Sequence, residues 1–225
     1  VVIGALNTSD GKTYLDVTKN VADMILADDN FATIVSAVEE GRRIYANIRK
    51  SIQFLLATNI SEVLSILVAT MLNFTILKPA HLLWINLITD SLPALALGME
   101  AGEKDAMKKK PRSTKDGVFA DGLGIDVVYQ GVVTTILVLT AYFIGEFMET
   151  GQWHIVASRD GITMAFLTMS MCEIFHSLNM RSRRQSIFSL KKQNLWLWGS
   201  LLAALVLTSA VIEIPALARL FDFTT

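Results

Sequence analysis

Three acidic residues lie well inside long apolar stretches of the chain, where an ionised side chain is costly. They are Glu62, Asp90 and Glu173, and each belongs to a different stretch. An ionisable side chain at the centre of a bilayer costs roughly 2.5–3.5 kcal/mol on insertion scales. Three carboxylates facing lipid would therefore cost on the order of 8–10 kcal/mol in total. We expect them to face one another or a cation instead.

Neutral oxygen donors accompany two of these carboxylates. Asn59 lies three residues before Glu62, while Thr89 and Asp90 lie three and four residues after Asn86. Residues at these spacings share one face of a helix. With the third carboxylate, these side chains offer only oxygen ligands, which suit hard cations such as Ca²⁺, an ion that takes 6–8 oxygens. The alternative is a hydrogen-bond network that only packs the helices together.

The second of the apolar stretches, residues 82–98 (LLWINLITDSLPALALG), contains a proline close to its polar residues. Pro93 lacks a backbone N–H and its ring clashes with the preceding turn of a helix. We therefore expect the helix to break or loosen near Thr89 and Asp90. Transporters commonly build cation sites from broken helices near the middle of the membrane. A core helix of a soluble protein is the alternative interpretation of this stretch.

The composition is typical of an integral membrane protein. Of the 225 residues, 52% are hydrophobic and 18% are charged, and the mean hydropathy is +0.45. The net charge of −1 gives no argument for a nucleic-acid partner. The single cysteine, Cys172, excludes an intrachain disulfide and a cysteine-based zinc site. Cys172 and His176 are most simply packing residues in the apolar run around Glu173.

The apolar runs predict an all-α membrane protein with five transmembrane helices. Asn30 is a suitable N-cap, and no helix breaker separates the amphipathic residues 31–50 from the first apolar run. We expect one nearly continuous helix over residues 31–72, with residues 31–50 as a cytosolic stalk. Residues 51–225 then form a transmembrane cation-transport domain. Its predicted spans are about residues 51–72, 82–98, 127–148, 162–178 and 195–214.

The basic residues predict how the chain is oriented. The stalk and the loops that follow the second and fourth spans carry most of the lysine and arginine. Basic loops mark the cytosolic side of a membrane protein. We therefore expect a multi-pass protein in the lipid bilayer, with its N-terminus in the cytosol and Thr225 on the opposite side.

Three segments carry a resemblance to a known family. They are DVTKNVADMILADDNFATIVSAVEEGRRIYANIRK, FLLATNISEVL and LLWINLITDSLPALALGME, at residues 16–50, 54–64 and 82–100. They resemble the C-terminal third of a P-type cation ATPase, of the sarcoplasmic/endoplasmic reticulum calcium-pump type or its bacterial relatives. The resemblance implies that residues 1–30 are the C-terminal tail of the α/β phosphorylation domain. It also implies that the five spans are helices five to nine of ten.

The same resemblance implies a transported ion, Ca²⁺, and a set of ligands for it. The positions that match the family's ligands in its fifth, sixth and eighth helices are Asn59, Glu62, Asn86, Thr89, Asp90 and Glu173. The aspartyl-phosphate motif Asp-Lys-Thr-Gly and the nucleotide domain are absent from these residues. We therefore expect no catalytic or cofactor-binding residue here, and ATP and Mg²⁺ to act only in the full-length pump.

The resemblance implies partners as well, and it leaves alternatives. The partners are the remainder of the same pump: the actuator, nucleotide and phosphorylation domains and transmembrane helices one to four and ten. In a bacterium the location would be the plasma membrane. Residues 1–15 depart from the family pattern, and Ser91 stands where the family usually has glycine. The alternatives are a P-type pump for Na⁺, H⁺ or Mn²⁺, and a non-catalytic cation-binding membrane bundle.

Overall fold

The computed structural model describes residues 30–102, 106–108, 110–111, 117–153, 155–182 and 192–224. The predicted tail of a phosphorylation domain, residues 1–30, lies outside the described residues except for Asn30. Within the described ranges the regular structure is helical, and five helices are long and apolar enough to cross a membrane. The prediction of an all-α, multi-pass membrane protein is therefore confirmed. The five helical spans are Ala32–Met71, Pro79–Gly98, Leu123–Thr150, Arg159–Asn179 and Leu195–Glu213.

The first helix, α1, runs without interruption over Phe31–Met71, a length of 41 residues. Its predicted N-cap is present, because the side-chain oxygen of Asn30 accepts a hydrogen bond from the backbone N–H of Ala32 at 3.0 Å. The chain divides into two compact units, Val1–Ile44 with Gly102–Lys110, and Tyr45–Ala101 with Pro111–Thr225. In the first unit, a guanidinium nitrogen of Arg42 donates to the carbonyl of Ala106 at 2.7 Å. The features described below belong to the second unit.

The second span consists of three consecutive helical pieces. They are α2 at Pro79–Trp84, a π-helical turn at Ile85–Asp90, and α3 at Ser91–Gly98. Pro79 begins α2 at a position where a missing N–H has no cost. The sequence predicted that the helix breaks or loosens near Thr89 and Asp90, and the structure has a wider turn at this place, which is a loosening without a break. The helix therefore continues through the disturbance that Pro93 imposes.

The remaining helices are α4 at Leu123–Thr150, α5 at Arg159–Asn179, α6 at Leu195–Glu213 and the short α7 at Pro215–Phe221. Gly151 ends α4 in the left-handed region with a φ of 71°, where glycine has no steric penalty. Ser158 caps α5, since its hydroxyl accepts the N–H of Gly161 at 2.8 Å. Pro215 follows the end of α6, because Ile214 before it adopts an extended conformation.

The outer surface of the long helices is strongly apolar. Leu83, Ile125 and Leu195 are 69%, 77% and 79% exposed, and many other large apolar side chains are exposed with them. A soluble protein rarely exposes so large a contiguous apolar surface. The distribution is that of helices whose outer faces contact lipid.

A polar cluster ties the tail after α6 to the beginnings of α2 and α5. The buried ring of His81 has its Nε2 2.6 Å from the carbonyl of Phe221. Lys78 and Arg159 both form salt bridges with the carboxylate of Asp222. The hydrogen bond from Lys78, together with the positive charges of Lys78 and Arg159, holds the pKa of Asp222 below its usual value. These contacts link α7 to the beginnings of α2 and α5.

Candidate cation-binding site

The structure brings three carboxylates from three different spans into one cluster. Glu62 lies on α1, Asp90 ends the π-helical turn, and Glu173 lies on α5. One carboxylate oxygen from each lies within 4.8 Å of the other two. The three residues are 6%, 1% and 1% exposed. Three negative charges at this separation repel strongly, so the cluster is suited to a positive partner.

Two apolar clusters enclose the carboxylates along each helix. On α1, Glu62 lies between Phe54 in one cluster and Ala69 in the other. The other two carboxylates also lie between the two clusters, in the reverse order along the chain. Asp90 lies between Ile85, which belongs to the cluster of Ala69, and Ala94, which belongs to the cluster of Phe54. Glu173 likewise lies between Met169, in the cluster of Ala69, and Ile174, in the cluster of Phe54. The carboxylates therefore occupy a polar layer between two apolar ones, where electrostatic interactions are little weakened by water.

Each of the three carboxylates accepts hydrogen bonds from a neutral side chain. The hydroxyl of Thr89 donates to Oε2 of Glu173 at 2.6 Å. The amide of Asn86 donates to both oxygens of Glu62 at 3.1 Å. These hydrogen bonds fix the carboxylates in place without adding charge. Each bond also joins two spans, so the site is built across helices and not along one of them.

A third neutral donor in the cluster was not predicted from the sequence. Thr58 donates to Oδ2 of Asp90 at 2.7 Å and is buried. The sequence did contain a signal for it, because Thr58 lies four residues before Glu62 and therefore on the same face of α1. Asn59, three residues before Glu62, lies on that face by the same argument, so the spacing alone does not choose between Thr58 and Asn59.

Asn59 lies outside the cluster in the described structure. Its side chain is exposed, and its amide donates to the carbonyl of Leu55 on its own helix at 2.6 Å. The other five residues predicted for the site are brought together: Glu62, Asn86, Thr89, Asp90 and Glu173. The role of Asn59 in cation binding stays a prediction.

Two carboxylate oxygens in the cluster have no hydrogen-bond partner among the described residues. They are Oδ1 of Asp90 and Oε1 of Glu173, and both are buried. Within the described ranges, no lysine or arginine forms a salt bridge with any of the three carboxylates. A buried, unpartnered carboxylate oxygen is a strong potential ligand for a hard cation. The donor set therefore fits an ion such as Ca²⁺.

His176, one turn beyond Glu173, does not join the carboxylates. Its ring stacks on Phe54 with the ring centroids 5.8 Å apart. Its Nε2 is buried without a hydrogen-bond partner among the residues that the structure describes. This environment is that of a packing residue, in agreement with the interpretation from the sequence.

The fold and the site together define a class of protein: a multi-span membrane protein with a carboxylate cluster buried between its helices. The model of the family described as "Cation transporting ATPase, C-terminus" matches residues 74–225. This match covers more than half of the chain. The chain therefore belongs to the cation-transporting ATPases, in the C-terminal region of that family.

The chain is similar to curated relatives from bacteria and plants. It is 43% identical over 223 residues to calcium-transporting ATPase 1 of Bacillus cereus, covering 94% of this chain and 25% of that protein. It is 42% identical over 218 residues to a calcium-transporting ATPase of Bacillus subtilis, covering 96% and 24% of the two chains. An endoplasmic reticulum-type calcium-transporting ATPase of Arabidopsis thaliana is 35% identical over 232 residues, covering 92% and 23%. The chain thus spans about a quarter of the length of these relatives.

Proposed function

We propose that this chain is the cation-binding transmembrane part of an ATP-driven calcium pump that carries Ca²⁺ out of the cytosol. The observation that carries the proposal is the convergence of Glu62, Asp90 and Glu173 from three spans on one buried cluster. The relatives support the choice of ion, because those named above are called calcium-transporting ATPases.

In this proposal, Ca²⁺ is the transported substrate and binds the carboxylates of the cluster. Asn86 and Thr89 complete the ligand set or orient it, and Asn59 is a further ligand. ATP and Mg²⁺ act on the cytosolic domains of the full-length pump, where an aspartate is phosphorylated. The partners of this chain are then the remaining domains and helices of the same protein. Movement of the phosphorylation domain reaches the site through α1, which carries Glu62.

The resemblance to the calcium pumps predicts unequal roles for Asp90 and Glu173, because it implies that Asp90 is shared between two calcium sites. Asp90 is the only carboxylate of the second span, and Asp90→Asn removes its charge. We expect this change to raise the calcium concentration needed for phosphorylation from ATP by about 100-fold or more, since it removes a negative charge that attracts the cation in a site shielded from water. Glu173→Gln also keeps one oxygen and the bond from Thr89, but the resemblance places Glu173 at one site only, so we expect a weaker affinity without a total loss.

The test uses the full-length pump, with phosphorylation from ATP measured as calcium is titrated. Glu146→Gln is the matched control, because Glu146 is a fully buried glutamate on α4 outside the cluster. Normal calcium affinity in Asp90→Asn would show that the site is assigned wrongly. If phosphorylation of the unmodified pump follows Na⁺, Mn²⁺ or pH instead of calcium, the choice of ion is wrong, while the cluster can still be the site.

A further inference from the structure

A buried ion pair lies where the helices that carry the carboxylates end. Arg181, just after α5, is 2% exposed, and Glu100, just after α3, is 4% exposed. Nη2 of Arg181 donates to Oε1 of Glu100 at 3.0 Å, and its Nε lies 3.3 Å from both carboxylate oxygens. The planar guanidinium therefore holds the carboxylate by more than one nitrogen, a geometry that fixes orientation as well as distance.

The beginning of α6 completes the hydrogen bonding of this pair. Asn194, the N-cap of α6, donates to Oε2 of Glu100 at 2.9 Å and to the carbonyl of Ala96 at 2.8 Å. The guanidinium of Arg181 also donates to the side-chain oxygen of Gln193 at 2.9 Å. A buried ion pair is tolerated only when its remaining donors and acceptors are satisfied in this way. The side-chain nitrogens and oxygens of the ion pair are thus all hydrogen-bonded, and the pair joins α3, α5 and α6.

Helix α1 enters the same arrangement through two side chains. The amide of Asn47 donates to the carbonyls of Gly98 at 3.2 Å and Glu100 at 2.7 Å. The hydroxyl of Ser51, one turn further along α1, donates to the carbonyl of Ala94 at 2.8 Å. The last carbonyls of a helix have no partner within it. Side chains of α1 and α6 therefore supply the bonds that end α3.

These residues are too far along their helices to touch an ion in the cluster. Arg181 lies eight residues after Glu173, and Glu100 lies ten residues after Asp90. At 1.5 Å per residue, these separations correspond to about 12 and 15 Å along a helix. Any influence on the cation must therefore be transmitted by the helices as rigid elements.

We propose that Arg181 is a positioning residue for the cation site. Through its pair with Glu100, it holds the helix that carries Asp90 in register with α5, which carries Glu173. This inference rests on the proposed function, because it needs a cation that binds both carboxylates. Binding sites tolerate displacements of only about 0.5 Å in their ligands. Loss of the guanidinium leaves Glu100 charged and buried, so the end of α3 shifts and the two carboxylates lose their alignment.

The test is a calcium titration of phosphorylation from ATP in the full-length pump carrying Arg181→Gln. We expect the apparent calcium affinity to fall about tenfold, a change typical of residues that act at a distance. The level of phosphorylation at saturating calcium stays close to that of the unmodified pump, because no ligand is removed. Arg159→Gln is the matched control at the other end of α5. Its salt bridge with Asp222 is exposed, so we expect a change of less than about twofold.

Two further variants separate the ion pair from a general loss of folding. Adding Glu100→Gln to Arg181→Gln removes the buried negative charge that faced the guanidinium, and we expect the affinity to return to within about threefold of normal. Arg181→Lys keeps the positive charge but loses the planar guanidinium that binds Glu100 through two nitrogens, and we expect an intermediate affinity. If Arg181→Gln does not accumulate in cells, the calcium affinities of Arg181→Lys and the double variant are compared with that of the unmodified pump.

Several results would overturn the inference. A lower maximal phosphorylation with an unchanged calcium midpoint would show that Arg181 is only structural. A double variant as weak as Arg181→Gln would exclude the role of the ion pair. These results require that phosphorylation of the unmodified pump depends on calcium. Absence of that dependence would instead refute the proposed function on which the inference rests.

Discussion

At the scale of single residues, the hydroxyl of Thr58 defines how Asp90 is held. It is the donor to Oδ2 of Asp90 among the described residues, at 2.7 Å, and leaves Oδ1 without a partner. The hydrogen bond therefore fixes the carboxylate while keeping one oxygen available to a cation. Helical spacing alone could not separate Thr58 from Asn59, because residues three and four positions before Glu62 share the same face.

We predict that Thr58→Val weakens calcium binding although valine has nearly the same shape. The change removes a donor to a buried carboxylate, and such charge-assisted hydrogen bonds contribute about 1.5–3 kcal/mol. The apparent calcium affinity of the full-length pump should fall by about tenfold or more. Phosphorylation from ATP during a calcium titration measures this change.

Thr140→Val provides the control for this substitution. Thr140 is exposed on α4, and its hydroxyl donates only to the carbonyl of Ile136 on its own helix, at 2.7 Å. We expect its calcium affinity to be unchanged. Equal effects of the two substitutions would mean that the bond between Thr58 and Asp90 has no role in cation binding.

At the scale of elements, the second span shows what a proline signal can and cannot predict. Pro93 indicated where the helix is disturbed but not the form of the disturbance. A backbone group without a partner is expensive in a membrane, which favours a continuous wider turn over an open break. The hydroxyl of Ser91 donates to the carbonyl of Asn86 at 2.6 Å and helps to satisfy this turn. Such π-helical turns are frequent at functional sites.

Close contact between α4 and α5 depends on two glycines. A Cβ added to Gly145 would lie 2.8 Å from the carbonyl oxygen of Asp160 and 2.9 Å from the Cα of Gly161. Both contacts are with backbone, which cannot move aside as a flexible side chain can. Small residues permit such close approach of helices in membrane proteins. The contact therefore requires glycine at position 145.

We predict that Gly145→Ala destabilises the protein by about 1–3 kcal/mol, the range for overpacking a well-packed interface. Thermal unfolding of the purified protein in detergent measures the change. Gly199→Ala on α6 is the matched control, because a Cβ there meets nothing within 4 Å. Alanine favours a helix over glycine, so the control should unfold at the same temperature or a higher one. A Gly145→Ala variant as stable as this control would contradict the interpretation of the contact.

At the scale of the whole molecule, the sequence predicted the helices better than their ends. The run predicted at residues 127–148 is a helix over Leu123–Thr150, and the run at 162–178 is a helix over Arg159–Asn179. Apolar residues identify the segment that contacts lipid, whereas capping residues such as Gly151 and Ser158 determine where a helix begins or ends.

The convergence of the carboxylates followed from the cost of facing lipid, but the ion pair between Arg181 and Glu100 did not follow from any pattern. Charged residues next to a basic loop are normally solvated, and their sequence spacing does not indicate a partner. Glu100 and Arg181 are 81 residues apart in the chain. Their pairing depends on how α3 and α5 end side by side, which is a property of the packed helices.

The orientation of the spans in the membrane is the remaining prediction from the basic loops. Lys192, in the loop after α5, belongs to the side with most of the lysine and arginine, and we expect it to face the cytosol. Gln152, in the loop after α4, should face the opposite side. Both residues are exposed. Because Cys172 is the only cysteine of the chain, Cys172→Ala provides a background without thiols in this region.

We predict that a membrane-impermeant thiol reagent added to intact cells labels Gln152→Cys in that background and leaves Lys192→Cys unlabelled. Permeabilising the membrane should then expose Lys192→Cys to the same reagent, which shows that this cysteine is reactive. The Cys172→Ala parent is the control for labelling elsewhere in the protein. Labelling of Lys192→Cys in intact cells would reverse the orientation. The carboxylate cluster would be unaffected by that reversal, but the proposed transport of Ca²⁺ out of the cytosol would lose its support.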